Sequence, residues 1–155
     1  MYKRQALIPE LWRLADSGYD TNHRYYVDAT PVVGDIYDGT QWRTILVGGL
    51  GAGGRAYYAL DISDPANPSV LWEIDSSTSG FTNLGLTYGN PIITKASNGT
   101  WIVVFTSGVN NVSSGDGIGR LYVVNATTGD KIREVSTGVG SAATPSTPRP
   151  VRNIA

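Results

Sequence analysis

Trp42-Arg43-Thr44-Ile45-Leu46-Val47-Gly48-Gly49 is answered by Thr100-Trp101-Ile102-Val103-Val104-Phe105-Thr106-Ser107-Gly108, and this echo decides the fold. Both runs are short, apolar and rich in β-branched residues, and both end in turn formers, so both read as strands. The echo spreads outward. Upstream, Thr30-Pro31-Val32-Val33 matches Asn90-Pro91-Ile92-Ile93. Downstream, Ala56-Tyr57-Tyr58-Ala59-Leu60-Asp61 matches Arg120-Leu121-Tyr122-Val123-Val124-Asn125, and Trp72-Glu73 matches Ile132-Arg133. Strands are therefore expected at 31–37, 43–48, 55–62 and 70–75, and again at 91–96, 101–108, 119–125 and 131–135. Asp38-Gly39 and Asn98-Gly99 mark two-residue hairpins.

Four strands recurring at a period of about 60 residues are the pattern of a β-propeller blade. A blade buries its faces only against its neighbours. The continuous runs Ile45–Val47 and Ile102–Phe105 fit central strands covered on both sides. The fold class expected is all-β: a partial propeller with two four-stranded antiparallel blades, at about 25–80 and 86–137, and the start of a third near Pro145. A short helix at 7–15 precedes them, because Leu7, Ile8, Leu11, Leu14 and Ala15 share one helical face. Pro9 suits its first turn and Gly18 its C-terminal cap. Residues 1–5 resemble nothing that follows and read as a leader foreign to the repeat. With blade faces uncovered, the chain is expected to be poorly soluble alone.

Composition agrees. Charged residues make up 16% of the chain and glycine occurs 19 times, against about 25% and 7% in average globular domains. Such a balance suits short strands and tight turns. A net charge of −1 supplies no basic stripe for nucleic acid. No apolar run reaches the ~18 residues of a membrane-spanning helix, and no signal peptide is evident. The absence of cysteine excludes disulfides and thiolate metal sites.

Several stretches together resemble the PilC/PilY family. His23-Arg24-Tyr25-Tyr26-Val27-Asp28-Ala29-Thr30-Pro31 resembles its blade opening, as does Leu86-Thr87-Tyr88-Gly89-Asn90-Pro91. Arg43 to Gly54 looks like its glycine-rich turn, followed by the aromatic strand ending Ala59-Leu60-Asp61. Leu7-Ile8-Pro9-Glu10-Leu11 is similar to its inter-blade helix. The resemblance implies a C-terminal propeller in a secreted bacterial protein at the type IV pilus tip. Its implied work is pilus assembly, twitching motility and adhesion. The implied partners are pilins or minor pilins, a host or abiotic surface, and the remaining blades. Calcium in the intact protein is implied too, through a D-x-D-x-D-G loop. No such loop occurs here. Asp35 and Asp38, in Asp35-Ile36-Tyr37-Asp38-Gly39, are weak metal candidates, since calcium takes six to eight oxygens.

Other motifs have plain readings. Gly49-Leu50-Gly51-Ala52-Gly53-Gly54 fits G-x-G-x-x-G, but a dinucleotide site needs a helix next, and Arg55-Ala56-Tyr57-Tyr58 reads as a strand. His23, the single histidine, lacks a nearby nucleophile or acid and reads as packing at the helix-to-blade junction. Asn98, Asn111 and Asn125 fit the glycosylation pattern and read as turn chemistry. The long polar loop of Asn110, Asn111, Ser113, Ser114 and Asp116 is the candidate partner surface. Trp12, Trp42, Trp72 and Trp101 are candidate anchors, with Trp72 and Trp101 assigned to inter-blade packing.

A non-catalytic binding module without cofactor is the leading reading. The alternative is a fragment of a quinoprotein dehydrogenase, since Leu121 to Asp130 resembles the repeat of pyrroloquinoline-quinone propellers. Against it, Asn125 stands where that motif has aspartate, and no tryptophan follows Asp130. A structural propeller with an unrelated partner is the third reading.

Overall fold

A computed structural model describes residues 7–113 and 115–140. Eight strands form two separate four-stranded antiparallel sheets, each a simple meander. The first sheet holds β1 (Val32–Tyr37), β2 (Trp42–Gly49), β3 (Ala56–Asp61) and β4 (Ser69–Asp75). The second holds β5 (Ile92–Lys95), β6 (Trp101–Thr106), β7 (Arg120–Asn125) and β8 (Lys131–Ser136). All eight expected strands are present. The two sheets are open and stack face to face, as consecutive blades do. The expected leader at 1–5 and the start of a third blade near 145 lie outside the described residues.

The internal likeness extends to an irregularity. Between Ala59 and Leu60 the β3–β4 register slips past Leu71, and between Val123 and Val124 the β7–β8 register slips past Ile132. Both sheets thus carry a bulge at the same place, which bends and twists the outer strand. The bulge also corrects the repeat alignment. Trp72 pairs with Ala59, and Arg133 with the equivalent Val123, so Arg133 and not Ile132 answers Trp72. In a strand, one residue of slip exchanges the two faces.

Equivalent residues point the same way in both sheets, so they meet different surroundings. Ile45, Val47, Tyr57 and Ala59 of the first sheet face the second and are fully buried. Their opposite-face neighbours in the second sheet, Val103, Phe105, Tyr122 and Val124, face back and close the seam. The Tyr57 and Phe105 rings lie 4.3 Å apart. On the far side of the first sheet, Tyr58 and Leu60 are covered by Leu7, Tyr26 and Leu50. On the far side of the second sheet, Ile92, Leu121 and Val135 stand in solvent.

Three hydrogen-bonded contacts lock the seam. The Trp72 indole donates to the Ala126 carbonyl at 2.9 Å, and its ring sits over Gly129. Gly129 has φ +77°, and a Cβ there would come within 2.7 Å of Trp72 Cγ, so only glycine fits. Thr87, fully buried in the connection between the sheets, accepts from the Leu50 N–H at 2.8 Å and donates to the Ala56 carbonyl at 3.0 Å. The Tyr57 hydroxyl donates to the Gly89 carbonyl at 2.9 Å.

The expected helix forms, but as a 3-10 helix over Ile8–Ala15. Eight residues are too few to hold an α-helix by propensity. In the 3-10 repeat positions i and i+3 eclipse, and this places Arg13 Nε 2.7 Å from the Glu10 carboxylate. Extended Asp16, rather than Gly18, ends it. The hairpin turns differ too. The first is centred on Gly39-Thr40, closed by Asp38 N–H to the Gln41 carbonyl at 3.1 Å. The second spans Ser97-Asn98-Gly99, a three-residue loop with Gly99 at φ +88°.

Candidate interaction surface

The loop from Gly108 to Gly117 follows β6 and is pinned at several points. Asn111 is buried, and its side-chain nitrogen donates to the Asn83 carbonyl at 3.1 Å and the Ile118 carbonyl at 3.0 Å. The Asp116 N–H donates to Asn83 Oδ1 at 3.0 Å. The Asp116 carboxylate receives two 2.6 Å bonds from the Arg120 guanidinium, which also reaches Glu134 at 2.7 Å. Arg120 and the Ile118 N–H hold the Asp116 carboxyl down at about 2. Ser113 accepts from Arg55 at 2.6 Å. Asn110 is exposed, in the left-handed region at φ +56°. The five loop residues singled out above therefore divide. Asn110 and Ser113 are displayed, Asn111 and Asp116 hold the loop in shape, and Ser114 lies outside the described residues.

Asp35 and Asp38 are not brought together. Asp35 accepts from the Thr44 hydroxyl at 2.7 Å. Asp38 accepts from the Thr40 hydroxyl at 2.7 Å, the Thr40 N–H at 2.8 Å, the Gln41 N–H at 2.9 Å and the Arg43 guanidinium. The Thr40 hydroxyl leads the donors that hold the Asp38 carboxyl well below the usual carboxylate range. Thr44 and Arg43 are consecutive in β2, so they lead to opposite faces. With Arg43 already supplying a cation, this hairpin does not fit calcium. Arg43 also reaches Asp61 at 2.5 Å. Burial opposes the Asp61 charge, but the Ser63 hydroxyl and N–H, with Arg43, hold its carboxyl below the ordinary value.

The glycine-rich turn is a cradle for the chain itself. A Cβ on Gly53 would fall 2.0 Å from the Tyr26 carbonyl oxygen, and one on Gly51 1.9 Å from Asp28 Oδ1. The Ala52 N–H donates to that Asp28 oxygen at 2.7 Å. The strand β3 follows, with no helix for a pyrophosphate. His23 packs between Tyr19 and Tyr25, each ring 5.3 Å away. Asn125 caps its turn through Oδ1 to the Thr127 N–H at 2.8 Å and the Thr128 N–H at 3.1 Å. Asn98 caps likewise to Thr100 at 3.0 Å.

One cluster has no counterpart in the sequence reading. Trp42 pairs across the first hairpin with Tyr37, and the rings lie 5.8 Å apart. Trp101 of the second sheet comes within 6.1 Å of Trp42, with Lys95 Nζ 5.7 Å from the Trp101 ring centre. Trp101, assigned above to packing, packs on the seam and also walls this cleft. The signal lay in Tyr37 and Trp42 flanking a tight turn, where cross-strand partners meet.

Comparison with known proteins fits this architecture. The family profile described as the PilY1 beta-propeller domain matches residues 2–154. A type IV pilus biogenesis factor PilY1 from Pseudomonas aeruginosa (strain UCBPP-PA14) is 38% identical over 93% of this chain and 12% of its own length. A PilY1 homolog from Xylella fastidiosa is 37% identical over 86% of this chain and 9% of its own. The chain thus spans about a tenth of these curated relatives. The crystal structure of the Pseudomonas aeruginosa PilY1 C-terminal domain superposes with a TM-score of 0.64 at 33% identity, covering 79% of this chain and 26% of that one. Two bulged four-strand blades, locked in series and matched along nearly their whole length, place this chain in the PilY1 β-propeller family.

Proposed function

We propose that this chain contributes blades to the propeller of a type IV pilus biogenesis factor, a non-catalytic module at the pilus tip or cell surface. It supports pilus assembly, twitching motility and adhesion. The observation that carries this reading is the unequal finish of the two outer faces. The first sheet is covered by its own N-terminal segment, while the second presents Ile92, Leu121 and Val135 to solvent. An apolar face of this shape suits a further blade. The pinned loop then displays Asn110 and Ser113 to pilins, minor pilins or a surface. The calcium implied for the family would be held elsewhere in the intact protein.

The test is made in a bacterium carrying the parent gene. Val104→Asp on the outer face should remove surface pili and twitching. Asn110→Ala with Ser113→Ala should leave pili intact and reduce attachment. Normal pili and motility with Val104→Asp would refute the scaffold role. Unchanged attachment with the loop variant would refute the loop's part in it.

A further inference from the structure

Where the two hairpin ends meet there is a cleft of about 250 Å³, walled by Tyr37, Lys95, Trp101, Asn125 and Thr127. We propose that it is a binding site for an acidic saccharide, taken one ring at a time. The proposal rests on the cleft alone and does not depend on the pilus reading.

Three features carry it. First, the rim is aromatic and open. Tyr37 of the wall is 43% exposed and Trp42 beside it 66% exposed, and the Trp42 ring meets both Tyr37 and the wall residue Trp101 edge-on. A tryptophan so exposed adds little to the fold, but it offers a flat apolar face. The C–H face of a pyranose stacks on such a ring. Second, the free polar groups are donors. Asn125 spends Oδ1 on its own turn, which leaves the amide nitrogen to give. Lys95 is exposed, faces the Trp101 ring, and forms no ion pair among the described residues. Asp38 lines the cleft too, but its carboxylate is already engaged by Arg43 and the turn, so Lys95 is the lining charge left to meet a ligand. A ligand rich in acceptors and carrying a carboxylate matches these groups. Third, the volume lies below the range of about 300–1,000 Å³ usual for drug-sized ligands, so one sugar ring fits and a nucleotide does not.

The experiment uses the whole chain and a glucuronic acid oligosaccharide, with a glucose oligosaccharide and an aspartate-rich peptide for comparison. Binding is followed by tryptophan fluorescence and by NMR of the indole N–H signals. The expected result is saturable binding of the glucuronic acid oligomer that moves the Trp42 and Trp101 signals. Trp42→Ala should weaken it about tenfold, and Lys95→Gln should bring it down to the level of the glucose oligomer. Both side chains are exposed, so both variants keep the fold. Unmoved Trp42 and Trp101 signals would overturn the proposal, as would peptide binding equal to that of the acidic sugar. Equal binding of the glucose oligomer by the unaltered chain would overturn the assignment to an acidic ligand.

Discussion

Replacing Trp72 should loosen both blades at once, although its backbone belongs to one of them. Its ring is 6% exposed and lies over Gly129 of the neighbouring sheet, with Nε1 donating to the Ala126 carbonyl at 2.9 Å. Trp72→Phe removes that bond, about 1 kcal/mol, and leaves a small void worth about 1 kcal/mol more. A loss of about 2 kcal/mol lowers the folding constant about 30-fold. Trp72→Ala empties the site and should cost about 3–5 kcal/mol. Native-state hydrogen exchange reads this element by element. If the seam makes the two sheets one cooperative unit, the amides of β2 and β6 lose protection equally. Loss confined to β1–β4, or a cost under about 1 kcal/mol for Trp72→Ala, would refute the claim that this indole couples the blades.

Further outcomes follow from other contacts. Thr87→Val removes an acceptor from Leu50 N–H, which keeps a 3.2 Å bond to Ala56, so the cost in urea unfolding should be about 1 kcal/mol. Gly53→Ala drives a methyl into the Tyr26 carbonyl and should cost about 3 kcal/mol, with the 26–28 segment shifted in a crystal structure. Asp116 titrates at about 2 in the folded chain. Its pairing therefore stabilises the loop above the ordinary carboxylate pKa of 3.8 and is lost as pH falls towards 2, which exchange at Ile118 should report. Burial raises Tyr57 and Tyr122 to about 12. The unfolded chain gives up these protons first, so stability falls between pH 10 and 12, and two tyrosines should ionise late in an ultraviolet titration.

The strands were legible because two physical signals coincide in them. Ile45-Leu46-Val47 and Ile102-Val103-Val104 are β-branched or aliphatic runs, and each is closed by turn residues. Their recurrence gave the blade. Depth of burial was not legible. Tyr58 and Tyr122 hold the same position, yet Tyr122 seals the seam while Tyr58 meets the N-terminal segment. Which neighbour covers a face is a property of the stack, not of the residue. The bulge at Leu71 and Ile132 was hidden because it exists only in the pairing of two strands. The loop of the candidate surface was found by its polarity. Its anchors were missed, because Asn83 and Arg120 lie outside the loop.

Thr87 has a consequence for the order of events during synthesis. The Leu50 N–H donates to the Thr87 hydroxyl, which lies 37 positions further along the chain. A ribosome or export channel delivers the earlier residue first. The rim of the first sheet therefore stays unfinished until the opening residues of the second emerge and settle onto it. Assembly of this kind proceeds like courses of brick, each setting the one beneath. A pause in delivery just before Thr87 would hold the nascent protein with Tyr57 and its neighbours uncovered, the moment at which a chaperone has most to protect.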